Sequence, residues 1–111
     1  MKILYRSRKI QKTCTQKAVM VREYGPQVAE VLGRRLAELE AADTLADMAH
    51  FPAVRFHELS GKRKGQFAVD LRHPLRLVFG PASQPVPRRA DGGMDTHRVT
   101  EILELEIVDY H

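Results

Sequence analysis

The chain has 111 residues, 43% of them hydrophobic and 29% charged, with a formal net charge of +4 at pH 7. That length supports one core and excludes two, the composition excludes a disordered chain, and no apolar run is long enough to span a bilayer. The only cysteine, Cys14, excludes an internal disulfide and fits a reducing cytoplasm.

The opening Met1-Lys2-Ile3-Leu4-Tyr5-Arg6 is too short and too charged for a signal peptide. Ile3 to Arg6 reads as a first strand. From Lys9, apolar or small residues at Ile10, Cys14, Ala18, Val21 and Tyr24 follow helical spacing. Thr13 and Thr15 offer nothing to depress the thiol pKa, so Cys14 reads as a small buried residue. Gly25 supplies a helix stop and Pro26 suits the first turn of the next helix. There Val28, Val31, Leu32, Leu36 and Leu39 form a stripe, with Arg34, Arg35, Glu38 and Glu40 largely off it. A helical hairpin results. Thr44, with Asp47 three residues on, predicts a capping box and a short third helix through Ala49.

The period then changes. Val54 to Leu59 reads as a strand, Ser60-Gly61-Lys62-Arg63-Lys64-Gly65 as a loop, and Gln66 to Leu71 as the next strand. His73-Pro74 marks a turn and Leu75 to Phe79 a third strand. Residues 80–98, rich in Pro and Gly, read as irregular and are long for a compact domain. Thr100 to Tyr110 is the last strand. Helices segregated before a meander predict an α+β fold over residues 1–111, with the hairpin packed on one face of a mainly antiparallel sheet.

Charge is unevenly spread. Residues 1–36 hold nine Lys/Arg against Glu23 and Glu30, and residues 53–89 hold eight against Glu58 and Asp70. Two basic blocks converging on one face would attract a phosphate backbone. The last strand ends in Asp109, Tyr110 and His111, a carboxylate, a phenol and an imidazole suited to proton transfer and poorly suited to holding a metal.

Three stretches resemble the HigB-type killer protein toxins of the RelE/ParE superfamily. They are Ser60-Gly61-Lys62-Arg63-Lys64-Gly65-Gln66, Leu75-Arg76-Leu77-Val78-Phe79, and Glu106-Ile107-Val108-Asp109-Tyr110-His111. The resemblance implies a toxin of a type II toxin–antitoxin pair that cuts messenger RNA on the translating ribosome, in the cytoplasm and without a cofactor. It implies a HigA-like helix-turn-helix antitoxin as partner, and operator DNA bound through the joint complex. By the same comparison Arg63 and Arg76 would hold the phosphoryl oxygens, since a guanidinium fork matches them. Asp109 and His111 would share proton transfer, and Tyr110 would stack on or orient a base. Lys62, Lys64, Gln66 and His73 would contact the RNA.

Each of these residues also has a structural reading. Arg63 and its lysines read as a polar hairpin tip, Arg76 as a partner of Asp70 or Glu106 across strands, and Tyr110 as a lid on the core. The chain departs from the family in two places. Phe67 stands where many members carry a histidine, so either His111 moves the proton alone or His57 or His73 substitutes (each also reads structurally, His57 as an exposed or partner-bonded strand residue and His73 as a turn residue before Pro74), and the 80–98 loop is longer. Two rival functions remain open: a ParE-like inhibitor of DNA gyrase, and an inactive antitoxin-binding scaffold.

Overall fold

The computed structural model describes residues 1–51 and 54–109. In chain order these form β1 (Lys2–Tyr5), α1 (Arg8–Thr15), α2 (Lys17–Ala41), β2 (His57–Glu58), β3 (Phe67–Asp70), β4 (Leu75–Pro81) and β5 (Glu101–Asp109). Short 3-10 turns lie at Leu45–His50, Gly61–Arg63 and Thr96–Arg98.

Ser7 opens α1 in an extended conformation and its Oγ accepts from the Ile10 N–H at 3.3 Å, which satisfies one of the helix's orphan donors. The helix expected from Lys9 to Tyr24 is interrupted. The Thr13 and Thr15 hydroxyls donate to the Lys9 and Gln11 carbonyls at 3.1 and 2.7 Å, and Gln16 turns to φ −118°, ψ 108°. Hydroxyls bonded back to the preceding turn weaken a helix end. The helix restarts at Lys17 in a new phase, so Met20 is buried and Ala18, expected on the apolar stripe, is exposed.

Gly25 breaks α2 at φ 84°, ψ 163°, a conformation that a Cβ disfavours, and Pro26 follows. Met20 and Gly33 line one shallow cavity with Cys14, although a straight helix would separate them by about 20 Å. The chain therefore folds back at Gly25, as the hairpin reading expected. Beyond it Ala29, Leu32 and Leu39 are buried. Arg35, expected off the stripe, is buried too: its Nε donates to the Asp70 carbonyl at 2.8 Å and its Nη1 to Glu38 Oε1 at 2.9 Å. The third helix is a 3-10 turn, and at its start Asp47 Oδ2 accepts from the Asp43 and Thr44 N–H groups at 3.1 Å each.

The five strands form one sheet in the order β1-β5-β4-β3-β2, with β1 parallel to β5 and the other pairs antiparallel. The strand expected over Val54–Leu59 shrinks to two residues. Arg55 sits at φ 53°, which a strand cannot hold, and the Phe56 ring stacks on Phe67 at 5.2 Å instead of extending a ladder. One sheet face meets the helices through Phe67, Val69, Leu77, Phe79 and Ile102, packed with Leu32 and Leu39. The other carries Leu59, Ala68 and Val78 with Leu105 and Val108, a group that no helical residue joins among the described residues.

A bulge divides β5. Phe79 opposes Glu104 and Val78 opposes Glu106, so Leu105 is the extra residue. Residues 80–98 are more ordered than expected: β4 continues to Pro81, and a tight finger closes with the Arg88–Met94 bridge. In it Arg89 N donates to Gly93 O at 2.7 Å and Asp95 N to Pro87 O at 2.9 Å. Among the described residues no helix is long and apolar enough to cross a membrane.

Candidate functional site

Strand alternation sorts the polar residues of the sheet. Leu75, Leu77 and Phe79 of β4 enter the core, which leaves Arg76 and Val78 on the face without helices. Cross-strand register places Asp70 opposite Arg76, Glu106 opposite Val78 and His57 opposite Ala68. Because the bulge shifts β5 by one residue, Glu106 shares this face while Glu104 does not.

Arg63 reaches the face from the 3-10 turn before β3. Its Nη1 donates to Gln66 Oε1 at 2.9 Å and its Nη2 to Glu106 Oε1, with both side chains of the ion pair about one-third exposed (34% each). The turn is closed by backbone bonds from Arg63 N to Ser60 O (3.2 Å) and from Gln66 N to Arg63 O (2.9 Å). The guanidinium is thus held by two acceptors, one of them Glu106, which stands opposite Val78, one side-chain repeat (roughly 7 Å) along β4 from Arg76.

Arg76 Nε lies 3.1 Å from Asp70 Oδ1, an ion pair outside hydrogen-bond geometry. Asp70 Oδ2 takes Arg55 Nε at 3.4 Å, and the Asp70 carbonyl is held by Arg35 from α2. A cleft of about 90 Å³ between these groups is lined by Arg55, Asp70, His73 and Arg76. The predicted pairing of Arg76 is therefore with Asp70, and Glu106 serves Arg63. Arg55 was missed in the sequence, where its apolar neighbours made it a strand residue. It stands in the left-handed region, a strain of about 1 kcal/mol that a rigid setting must offset.

The remaining predicted residues are dispersed around this pair. Lys62 and Lys64 are exposed on the turn, Gln66 is half-buried beside Arg63, and His73 is exposed in the β3–β4 turn. Asp109 is exposed at the end of β5, opposite Leu75. Tyr110 and His111 lie outside the described residues. His57 Nδ1 is 2.8 Å from the Arg55 carbonyl on the same sheet face. Phe67 is buried in the core against Phe56 and Phe79, so the side chain at this position faces away from the arginines.

Two buried groups behind the face have displaced pKa values. Glu104, fully buried between Tyr5 of β1 and Phe79 of β4, is pushed up to about 8 by burial, and neither carboxylate oxygen has a hydrogen-bond partner among the described residues. Burial, with Glu104 nearby, pushes the Cys14 thiol up to about 12, which suits an inert packed residue.

No protein-family model matches the sequence, and no curated protein matches it. Among solved structures, a YoeB/ParE toxin from Agrobacterium tumefaciens is similar over 100% of both chains, with a TM-score of 0.56 and 9% sequence identity. At that identity the likeness is one of fold, and the chain has the RelE/ParE-like α+β fold.

Proposed function

We propose that the chain is the toxin of a type II toxin–antitoxin pair and cleaves messenger RNA on the ribosome. The observation that carries this reading is the pair of guanidinium groups, Arg63 and Arg76, each held by a carboxylate, Glu106 and Asp70, whose strand positions lie opposite Val78 and Arg76 of β4. A ribose 2′-hydroxyl would attack the adjacent phosphorus and the bond to the 5′-oxygen would break, leaving a cyclic phosphate and a free 5′-hydroxyl. Negative charge on the phosphoryl oxygens rises along that path, and donors already fixed in place stabilise it without reorganising. Phosphate oxygens would take over the contacts that Gln66, Glu106 and Asp70 now make. Asp109 and His111 are assigned the proton transfers on the strength of the terminal motif, and Tyr110 the positioning of a base. Lys62, Lys64 and His73 would contact flanking RNA.

The burial of Phe67 weakens the case for an inactive scaffold, because an imidazole at that position would point into the core. The partner is proposed to be a HigA-like helix-turn-helix antitoxin, with operator DNA bound by the complex, all in the cytoplasm. Primer extension on a message, translated or naked, tests the reading. New 5′ ends should appear only with ribosomes, and vanish for Arg76→Ala and His111→Ala. Growth arrest without new ends, together with inhibited gyrase supercoiling, would replace this reading with the ParE-like one.

A further inference from the structure

The finger formed by residues 84–94 walls off a cationic trough beside the arginine pair. One hollow of about 330 Å³ runs between Gln66, Leu105 and Val86, and a larger one of about 740 Å³ runs on between Glu58, Arg89 and Thr96. Lys64, Gly65, Arg88 and Met94 line both, so the two hollows adjoin. The near end is Gln66, the residue that accepts from Arg63.

Charge in the trough is unbalanced in one direction. Its two carboxylates are engaged internally: Glu58 Oε2 accepts from Gly65 N at 3.4 Å, and Asp91 Oδ1 from Gly93 N at 2.8 Å and Arg89 Nε at 3.3 Å. The Gly93 N–H holds the Asp91 carboxyl below its usual range, so it stays ionised as part of the finger. Arg88 reaches only the Gly92 carbonyl, at 3.5 Å, and Lys64 has no partner among the described residues. Both are exposed.

We propose that this trough is a second phosphate subsite, where Lys64, Arg88 and Arg89 hold the backbone of the same single RNA strand beyond the nucleotide at Arg63 and Arg76. The inference rests on the RNA-cleaving reading and adds to it a path for the strand. An RNA backbone fits better than a protein segment because Lys64, Arg88 and Arg89 line the trough together with glycine backbone, while the apolar wall of Val86, Met94, Leu103 and Leu105 suits sugar and base edges and includes no aromatic anchor pocket for a protein partner. Aligned with Gln66, the finger also gives the strand a direction, out of the arginine pair and along the 64–66 edge.

The test measures binding of a short, fully 2′-O-methylated RNA, which cannot be cleaved, by fluorescence anisotropy over a salt series. The full chain is compared with Arg88→Ala/Arg89→Ala and with Arg88→Lys/Arg89→Lys. The alanine pair should weaken binding roughly tenfold and flatten the plot of log affinity against log salt by about 1.4, the value for two lost phosphate contacts on a single strand. The lysine pair should keep most of the slope. Equal affinity and slope in the alanine pair, with unchanged thermal melting, overturns the subsite. So does a chain that binds polyglutamate in the trough and ignores the RNA. Cleavage is read separately: a chain that shows the slope change and never cuts a message keeps the subsite and loses the nuclease reading. A chain that cuts and binds identically with and without both arginines loses the subsite alone.

Discussion

Arg63 and Arg76 reach one face by different routes, the first from a 3-10 turn and the second from the interior of β4, and each is met by a carboxylate. The pairs make different predictions. Arg76→Ala leaves Asp70 still in contact with Arg55, so the fold should be little changed, while single-turnover cleavage on ribosome-bound message should fall by about 10² to 10³. Arg76→Lys keeps the charge and loses the fork, so its rate should lie between the two. Arg63→Ala leaves Glu106 half-buried and unpaired; paired with Glu106→Gln it should regain stability and stay inactive. Full activity in both arginine variants would place the chemistry elsewhere. Glu104 gives a stability prediction. Unfolded, its carboxyl ionises near the ordinary value of 4.5; folded, burial raises it to about 8. Below pH 4.5 both states hold the proton and the fold loses nothing. Between the two values only the unfolded state ionises, so stability falls as pH rises, and above 8 the loss is complete, on the order of a few kcal/mol. Glu104→Gln should therefore melt higher than the natural chain at pH 8, with the gap closing toward pH 5. A gap that is constant with pH would mean that the carboxyl does not titrate in this window.

Elements were legible where one local rule acted alone. The Gly25-Pro26 break, the Asp47 cap and the β3–β4 hairpin follow from residues next to one another, and all three stand where the spacing put them. Errors arose where a local preference met a packing demand. The break at Gln16 was hidden because Ile10, Cys14, Ala18 and Val21 fit one helical stripe, and only the two threonine hydroxyls hinted otherwise. Arg35 looked like a surface residue because sequence cannot show that a guanidinium will find the end of a strand 35 residues away. That contact ties α2 to the strand that holds Asp70, and through it Arg76. Arg35→Met should retain the packing of the stem and leave the Asp70 carbonyl without its donor, lowering stability by about 1–3 kcal/mol. It should lower cleavage more than an equally destabilising core change such as Leu39→Val, as activity at a temperature where both variants are folded would show. Gly25→Ala puts a Cβ on a residue at φ 84°, so it should lower stability by about 1–2 kcal/mol in chemical denaturation, although nothing crowds the site. An unchanged midpoint would mean that the turn relaxes.

Across the whole molecule, the sequence offered Arg76 two acidic partners, Asp70 and Glu106, and the fold divides them, Asp70 to Arg76 and Glu106 to Arg63. The two basic blocks meet only in part. Arg35 is spent on packing, while Arg6 and Lys9 of the first block line a cavity with Leu105 and Glu106, beside the carboxylate that holds Arg63 of the second. The decisive step was the bulge at Leu105: strict alternation would put Glu104 and Glu106 on one face, and the extra residue buries the first and gives the second to Arg63. What remains on the uncovered face is a cationic surface with few carboxylates left unengaged. Such a surface governs encounter more than residence, since exposed charges steer diffusion and are screened by salt. Lys62→Glu should thus slow association with ribosomes at low salt, with little change in dissociation, and the difference from the natural chain should shrink as salt rises. Stopped-flow association of labelled protein with purified ribosomes measures both rate constants. If association is indifferent to salt and to this charge, the face does not meet a phosphate backbone, and a protein-docking mode, as in gyrase inhibition, accounts for the surface better.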